Sequence, residues 1–343
     1  MKHHLNGSAR RGGIAVLFPG QGSQYPRMGA DLACSHPPVA AAFEAMAAAL
    51  ATAGGGSLAR ALCDPAGSLD RGEFAQPAIG ALSVGLYHLL VEAGLQPDFV
   101  AGHSFGELTA LWAAGVFDEA TYRHLVVERA RAMTEPVEPG GMIAVKAEPE
   151  AVAALVDHLP GMRVANVNSP RQVVLAGPRA RIEQVRLFFE DRGYPAVPLN
   201  VSAAFHTPMV RPAAERFGHA LAAAPFLSPR LPVYSNVTAA PYPFAIPAVR
   251  ALLARHMMSP VQFVQLIENL YRAGARIFVE CGPRAVLTNL VGEILGERSH
   301  LVVALNSSAR RSGGLQLRDA WERLRSTGLP LANPPAGFPE GDP

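Results

Sequence analysis

The fold of this 343-residue chain is decided by residues 99–107, Phe-Val-Ala-Gly-His-Ser-Phe-Gly-Glu. Residues 99–101 are apolar and predict a short buried strand, while residues 107–114 have the pattern of a helix that ends at Gly115. Between the two, residues 102–106 fit Gly-x-Ser-x-Gly, in which small residues let a strand turn sharply into a helix and hold the serine hydroxyl out of the sheet. The stretch therefore predicts a nucleophile elbow in an α/β fold.

The alternation of strands and helices continues on both sides of this elbow. Residues 14–18 form an apolar run closed by Pro19-Gly20, which predicts a strand buried on both faces of a parallel sheet. We therefore expect an α/β-hydrolase-like large domain. Its remaining elements are a helix at 76–94, a strand at 233–235, helices at 247–257 and 260–274, a strand at 276–280 and a helix at 315–326.

A second pattern lies between residues 140 and 199. Its strands and helices follow the order βαββαβ, which predicts a small ferredoxin-like domain inserted into the larger one. The catalytic domain is then discontinuous. The predicted divisions are 14–139 and 200–328 for the catalytic domain, 140–199 for the insert, and 1–13 and 330–343 for a linker or tail.

Charge and cysteine usage exclude several classes of protein. The net charge is +2, and the basic runs are no longer than Arg10-Arg11 or Arg310-Arg311, so we expect no nucleic-acid partner. Cys34, Cys63 and Cys281 are widely spaced and form no Cys-x-x-Cys pair, which predicts neither a disulfide framework nor a metal site.

Hydropathy and the start of the chain bear on its compartment. The Ala-rich stretches are broken by Arg, Glu, Gly or Pro before they reach the length of about 18 residues that a membrane helix needs. Residues 1–4 have no apolar signal-peptide core behind them. We therefore expect a soluble, cytoplasmic protein without a membrane partner.

The elbow supplies a nucleophile but needs a base. Ser104 gains from the helix N-terminus and from the amide of Phe105, which both favour a developing oxyanion. His206 is the best-placed histidine, because it lies in an irregular stretch just after the predicted insert. His88 and His124 fall in helical patterns, and an ordinary packing role stays open for every histidine of the chain.

The loop after the first strand is the other candidate. Residues 18–24, Phe-Pro-Gly-Gln-Gly-Ser-Gln, lie where the strand ends of a parallel sheet form a ligand crevice. They lack the third glycine of a dinucleotide fingerprint and the Gly-Lys-Ser/Thr of a P-loop. We therefore interpret them as a loop that donates backbone amides.

In order and spacing, these motifs resemble the malonyl-CoA:acyl-carrier-protein transacylases and the acyltransferase domains of polyketide synthases over roughly residues 14–305. Residues 102–116 are most similar to the acyltransferase domains of iterative synthases of the enediyne and polyunsaturated-fatty-acid type. The motifs are residues 18–24, Gln76-Pro77-Ala78, 102–107, Arg129 with Met133, 166–170, Phe205-His206, Ser235-Asn236-Val237, Pro260-Val261-Gln262 and 280–283.

The resemblance implies the site. It makes Ser104 the nucleophile, His206 the base and the amides of Gln21 and Phe105 the oxyanion hole. It also implies that Arg129 receives the free carboxylate of malonyl, a task suited to a planar bidentate guanidinium. One departure is Ala130, where the family has glycine.

Further assignments follow from the same resemblance. Phe205 is expected beside the substrate and to favour malonyl over methylmalonyl, because malonyl-selective relatives carry phenylalanine there. Gln76 and His103 are assigned to the substrate pocket, although a structural role is favoured for Gln76, as it is for Glu107. A main-chain carbonyl near Gln262 is expected to orient the base, and Asn236 is assigned to the same task.

The implied reaction is a ping-pong acyl transfer in polyketide or fatty-acid biosynthesis. Malonyl-CoA is the donor, and the phosphopantetheine thiol of an acyl carrier protein is the acceptor; no permanent cofactor is implied, and neighbouring domains of a multidomain synthase are expected partners. Two alternatives stay open: an acyl hydrolase that clears misloaded carriers, and a catalytically silent docking domain. Arg129 argues against the hydrolase, because a hydrolase for simple acyl groups needs no carboxylate clamp.

Overall fold

The structure is a computed structural model and describes residues 12–64, 67–134 and 139–332. Most of the predicted linkers, 1–13 and 330–343, lie outside the described residues. At the described end the prediction is wrong, because Leu331 is buried and the amide of Ala332 donates to the carbonyl of Ala93 at 2.9 Å. The chain is therefore still packed on the core at residue 332.

Within these ranges the strands form two five-stranded sheets. In chain order the strands are β1 (Gly13–Phe18), β2 (Phe99–Gly102), β3 (Gly140–Val145), β4 (Arg163–Ser169), β5 (Gln172–Pro178), β6 (Ala196–Pro198), β7 (Val233–Tyr234), β8 (Val261–Gln262), β9 (Ala275–Pro283) and β10 (Leu301–Asn306).

Helices cover the first sheet and one face of the second. In chain order they are α1 (Ala30–Ser35), α2 (Pro37–Thr52), α3 (Leu58–Cys63), α4 (Gly72–Glu92), α5 (Gly106–Ala113), α6 (Glu119–Thr134), α7 (Pro149–Val156), α8 (Ile182–Glu190), α9 (Arg211–Ala223), α10 (Ile246–His256), α11 (Phe263–Arg272), α12 (Val286–Leu295) and α13 (Gly313–Ser326).

The first sheet has the order β10-β9-β1-β2-β7, and all of its pairs are parallel. Its central strand β1 is almost wholly buried, as its continuous apolar sequence predicts for a strand covered on both faces. Phe18 pairs with Gly102, so the loop after β1 and the elbow after β2 leave the sheet at the same edge. This confirms the predicted α/β fold with a parallel sheet.

The second sheet has the order β6-β3-β5-β4-β8. Its first four strands, with α7 and α8, have the order and antiparallel pairing of the ferredoxin-like fold. β8 comes from the later part of the chain and pairs in parallel with β4, Asn166 opposite Val261. The boundaries assigned from the sequence between the catalytic domain and the insert stay a prediction.

Helix α4 is the long central helix of the core. Contrary to the expectation from the sequence, this 21-residue helix is, by length and composition alone, long and apolar enough to cross a membrane. However, 89% of its most apolar window is buried inside the fold, where it packs against α2, α6 and β9. Burial on all sides explains why the helix is hydrophobic around its whole circumference.

Helix α12 begins with a carboxylate cap. Glu280, at the end of β9, is fully buried and accepts hydrogen bonds from the amides of Leu287 and Thr288 at 3.0 and 2.8 Å. Burial raises the pKa of Glu280 to about 7, against the lowering effect of these donors. The cap fixes the helix whose residues Leu287 and Leu290 line the site described next.

Candidate active site

The two glycines of the elbow are required by close backbone contacts. A Cβ on Gly102 would lie 1.9 Å from the carbonyl carbon of Gly106, and a Cβ on Gly106 would lie 1.9 Å from the carbonyl oxygen of Phe18. Ser104 between them has a φ of 50°, a left-handed conformation that non-glycine residues rarely adopt. The predicted nucleophile elbow is therefore present.

Asn236 holds the elbow from behind. Its Oδ1 accepts from the amide of Ser104 at 2.7 Å, and its Nδ2 donates to the carbonyl of Gly102 at 2.6 Å. Asn236 makes no hydrogen bond to His206 within the described part of the chain. The assignment of Asn236 to the base has to be corrected, because its amide spans the two sides of the serine turn.

His206 meets Ser104 from a different segment. Its Nε2 lies 2.7 Å from Ser104 Oγ, and its Nδ1 faces the carbonyls of Ser259 at 3.1 Å and His256 at 3.3 Å. Two carbonyls at Nδ1 require the proton there, so Nε2 is the acceptor for the serine hydroxyl. The expectation of a main-chain carbonyl was right in kind, but the residue is Ser259, three positions before Gln262.

His206 is held in its neutral form. Burial, together with the positive charge of Arg129 and the nearby His103, lowers its pKa to about 3. An unprotonated imidazole with a free Nε2 lone pair can accept a proton from Ser104. The pair therefore has the geometry and the protonation state of a nucleophile and its base.

Ser104 and His206 lie in a cleft of about 290 Å³ between the two sheets. The parallel sheet contributes the elbow and the loop after β1, while β3, β4 and β5 contribute the opposite wall. The residues that line the cleft and were not assigned from the sequence include Met142, Ala144, Asn166, Asn168, Gln172, Val174, Leu287 and Leu290.

Two backbone amides in this cleft match the predicted oxyanion hole. Gln21 and Phe105 both line the cleft beside Ser104. Among the described residues, nothing accepts a hydrogen bond from either amide. An amide that is left without an internal acceptor is available to a ligand oxygen.

Arg129 brings a buried cation into the same cleft. Only 3% of its surface is exposed, and burial lowers its pKa to about 10, against the raising effect of Glu107. Its guanidinium donates to Gln76 Oε1 at 2.6 Å and lies 5.8 Å from the ring centre of Phe105. The neighbouring Ala130 is fully buried, so the departure from glycine is accommodated.

Gln76 connects the cation to the oxyanion loop. While its Oε1 holds Arg129, its Nε2 donates to Met133 Sδ at 3.0 Å and to Gln21 Oε1 at 3.4 Å. Gln76 itself is fully buried and lines the cleft. Its structural and pocket roles are therefore not alternatives, because the same amide orients Arg129 and forms the wall.

His103 begins a polar row along the opposite wall. Its Nε2 donates to Asn168 Oδ1 at 2.7 Å, and Asn168 Nδ2 donates to Gln172 Oε1 at 2.9 Å. All three residues line the cleft. The motif around Asn168 was visible in the sequence, but only the fold shows that it meets His103.

Phe205, immediately before His206, also lines the cleft and packs against both neighbouring hydrophobic clusters.

Among the described residues no three His, Cys, Asp or Glu side chains form a group able to hold a metal ion. Cys34 and Cys63 are exposed, and Cys281 is buried with its pKa raised by burial.

Comparison with known proteins extends these observations. A polyunsaturated fatty acid synthase polypeptide of Thraustochytrium sp. is 33% identical over 346 residues, which cover 95% of this chain and 12% of the synthase polypeptide. The malonyl CoA-acyl carrier protein transacylase PksC of Bacillus subtilis is 36% identical over 289 residues, covering 82% of this chain and 96% of that protein. The chain thus spans a small part of the synthase polypeptide and nearly all of the transacylase.

Solved structures of acyltransferases are also similar to this chain. The acyltransferase domain from the second module of the salinomycin polyketide synthase has a TM-score of 0.84 and 34% identity, covering 93% of this chain and 74% of that one. Malonyl-CoA:acyl carrier protein transacylase from Xanthomonas oryzae has a TM-score of 0.81 and 33% identity, covering 90% and 99%. The family model described as the acyl transferase domain matches residues 16–319. The chain therefore belongs to the acyl transferase domain family.

Proposed function

We propose that this chain takes a malonyl group from malonyl-CoA onto Ser104 and passes it to the phosphopantetheine thiol of an acyl carrier protein. The observation that carries the proposal is the buried guanidinium of Arg129 in the cleft of Ser104. Among the described residues no carboxylate oxygen lies within 4.0 Å of it, and Gln76 is its hydrogen-bond partner. A buried cation without an ion-pair partner favours a substrate that brings its own carboxylate.

The first half-reaction follows from the positions of the side chains. His206 Nε2 accepts the hydroxyl proton of Ser104 while the serine oxygen attacks the thioester carbonyl of malonyl-CoA. The amides of Gln21 and Phe105 donate to the resulting oxyanion. Collapse breaks the carbon–sulfur bond, the proton on His206 passes to the departing thiolate, and coenzyme A and malonyl-Ser104 are formed.

The second half-reaction runs the same steps in reverse. His206 accepts the proton of the carrier's thiol, whose sulfur attacks the ester carbonyl of malonyl-Ser104. The oxyanion again lies against the two amides, and the carbon–oxygen bond to Ser104 breaks as His206 returns its proton. Malonyl then leaves as a thioester of the carrier, so atoms and charge balance over the cycle.

The arm that carries the thioester needs a path out of the cleft. Beside Gln172, which lines both spaces, a second cavity of about 670 Å³ lies between the small sheet and α12. Lys146 directly follows the last residue of β3 and lies two positions after Ala144, which lines the first cleft, so the two residues are about 7 Å apart along the chain. We assign this cavity to the outer part of the phosphopantetheine arm.

Two cations at this cavity suit the phosphate at the end of the arm. Lys146 and Arg171 line it and are exposed, and among the described residues no carboxylate lies within 4.0 Å of either cation. Glu148 and Glu293 also line the cavity, so the formal charges of its two cations and two carboxylates balance. Both coenzyme A and the carrier's prosthetic group present a phosphate there.

The alternatives are separated by following the acyl group. A transferase forms malonyl-Ser104 and loses it rapidly to a phosphopantetheine thiol, a hydrolase loses it to water at the same rate with or without that thiol, and a silent domain forms no adduct. The measurement is intact-protein mass spectrometry after mixing with malonyl-CoA, with and without a holo carrier protein. We further propose that the protein is cytoplasmic and that neighbouring domains of a multidomain synthase are among its partners.

A further inference from the structure

A buried carboxylate that the proposed reaction does not use lies directly behind the nucleophile. Glu107, in the first turn of α5, has no exposed surface. Its Oε2 accepts from the amide of Asn236 at 2.6 Å, and its Oε1 accepts from the hydroxyl of Tyr242 and from Ser235 Oγ at 3.4 Å. Neutral donors satisfy this carboxylate, so an ionised Glu107 keeps its negative charge inside the core.

On one side Glu107 is connected to Ser104. The amide that it holds belongs to Asn236, whose side chain accepts from the Ser104 amide at 2.7 Å and donates to the Gly102 carbonyl at 2.6 Å. A single residue therefore separates the carboxylate from both sides of the strained turn. A shift of Glu107 would move the elbow through Asn236.

On the other side His256 lies between Glu107 and His206. The Nε2 of His256 lies 3.8 Å from Glu107 Oε2 and has no hydrogen-bond partner among the described residues. The carbonyl of His256 accepts from His206 Nδ1 at 3.3 Å, and the two imidazole rings lie 5.4 Å apart. In the described part of the chain His206 has no carboxylate partner at Nδ1, unlike the histidine of a Ser-His-Asp triad.

We propose that Glu107 is a positioning residue that acts on both members of the Ser104–His206 pair, holding the elbow through Asn236 and stabilising the imidazolium formed during acylation by its buried negative charge. The proposal rests on the acyl transfer described above. When His206 accepts the serine proton it becomes a cation close to Arg129, whose positive charge opposes that step. A carboxylate in the same low-dielectric region offsets this repulsion.

The ionisation of Glu107 should be visible in the pH dependence of the acylation rate. Burial raises its pKa to about 7, against the lowering effect of Tyr242, Asn236, Ser235 and Arg129. The pKa of His206 is about 3, far below that of Glu107, so His206 stays neutral while Glu107 titrates near pH 7. Lowering the pH through 7 therefore protonates Glu107 first, and acylation should slow.

The other titratable groups around Glu107 do not change charge near neutral pH. Tyr242, after β7, has its pKa raised far above its usual value by burial and by Glu107. His256, at the end of α10, has its pKa lowered by burial and by neighbouring positive groups. Arg129, on α6, stays protonated with a pKa of about 10. Glu107 is therefore the group whose charge changes.

The test is the rate of malonyl-Ser104 formation in single turnovers between about pH 5 and about pH 9. The wild type should show an acid limb near pH 7. Glu107→Gln, which keeps an amide oxygen for Asn236, should acylate about tenfold more slowly at the plateau and lose the acid limb, with an unchanged KM for malonyl-CoA.

Tyr242→Phe keeps the test decisive if Glu107→Gln does not fold. Removing the phenol removes a donor that lowers the pKa of Glu107, so the acid limb should move to higher pH. Glu280→Gln is the matched control, because Glu280 is an equally buried carboxylate with a pKa raised to about 7 and no hydrogen bond to the elbow. Its acid limb should stay in place.

The outcomes separate this inference from the proposed function. An acid limb that persists unchanged in Glu107→Gln, or that does not move in Tyr242→Phe, would overturn the positioning role while leaving malonyl transfer intact. A wild type that forms no malonyl-Ser104 at any pH would instead overturn the proposed function. A Glu280→Gln limb that shifts as far as that of Tyr242→Phe would also count against Glu107.

Discussion

The hydroxyl of Ser104 lies 2.7 Å from Nε2 of His206, and both residues have left-handed backbones, with φ angles of 50° and 61°. Such conformations carry a strain of order 1–3 kcal/mol each and persist only where the surroundings enforce them. Asn236 holds the amide of Ser104, and the carbonyl of Met257 accepts from the amide of His206 at 3.0 Å. Both residues that the proposed reaction uses therefore carry such strain, as Arg27, Ala239 and Arg284 also do.

Replacing the base should slow acylation without unfolding the protein. In His206→Ala we expect malonyl-Ser104 to form about 10²-fold to 10⁴-fold more slowly, which is the usual contribution of a positioned general base. Rapid-quench mass spectrometry with malonyl-CoA measures this rate. His124→Ala, at an exposed position of α6, is the control and should acylate normally. An unchanged rate in His206→Ala would point to another base.

The elbow glycines should be sensitive to a single methyl group. Gly106→Ala would place a Cβ 1.9 Å from the Phe18 carbonyl, so we expect a loss of about 3 kcal/mol or more in the free energy of unfolding. Gly218→Ala in α9 meets no atom within 4 Å and should gain about 0.5–1 kcal/mol from helix propensity. Urea denaturation compares the two; equal effects would refute the close contact.

Removing the buried cation should change the acyl preference. Arg129→Ala takes away the charge that faces a malonyl carboxylate, so malonyl loading should fall while acetyl loading is kept or improves. Competition between malonyl-CoA and acetyl-CoA, read by intact-protein mass spectrometry, measures the ratio. Arg131→Ala, in an exposed pair with Glu128, should leave the ratio unchanged. Equal losses for both acyl groups would assign Arg129 to the fold alone.

The side chain before the base should set the space at the α-carbon. Phe205 lines the cleft next to His206, so its ring would clash with an α-methyl group on the substrate. We expect this clash to weaken methylmalonyl binding by about 1–3 kcal/mol. The wild type should load mostly malonyl from a mixture with methylmalonyl-CoA, and Phe205→Ser should shift toward methylmalonyl. A wild type that loads both equally, or a stable variant with an unchanged preference, would contradict this.

The cations at the outer cavity should matter only for donors with a phosphate. Lys146→Ala combined with Arg171→Ala should raise the KM for malonyl-CoA, with a weaker salt dependence, while kcat stays the same. Malonyl-N-acetylcysteamine, which has the thioester but no phosphate, should load equally on both proteins. An equal loss with both donors would place the arm elsewhere.

The elements that the sequence predicted best are those whose local pattern agrees with their position in the fold. β1 is apolar throughout because both faces are covered, and the elbow glycines are explained by contacts within three neighbouring segments. Helix α2 was not assigned from the sequence, and α6 was noted only as a helical pattern around His124. Their many alanines and mixed polar residues give little contrast between faces, so packing against α4 decides them.

In the candidate site, too, local sequence predicts some residues and tertiary packing alone determines others. The role of Ser104 could be predicted from the sequence of its own turn. The carbonyls that contact His206, however, belong to His256 and Ser259, which lie at least fifty positions after His206 in the chain. A main-chain carbonyl leaves no signature in the sequence, because every residue has one. The contact of the Ser259 carbonyl with His206, and that of Asn236 with the serine turn, could therefore be found only once the fold brought the segments together.

Malonyl attachment to Ser104 is tested most directly by peptide mass spectrometry of the protein after brief exposure to malonyl-CoA. We predict a malonyl ester on Ser104 that is absent from Ser104→Ala, and that moves to the phosphopantetheine of a holo carrier protein when one is added. Malonyl found on a different residue, or a Ser104→Ala variant that still loads the carrier at the wild-type rate, would contradict the account.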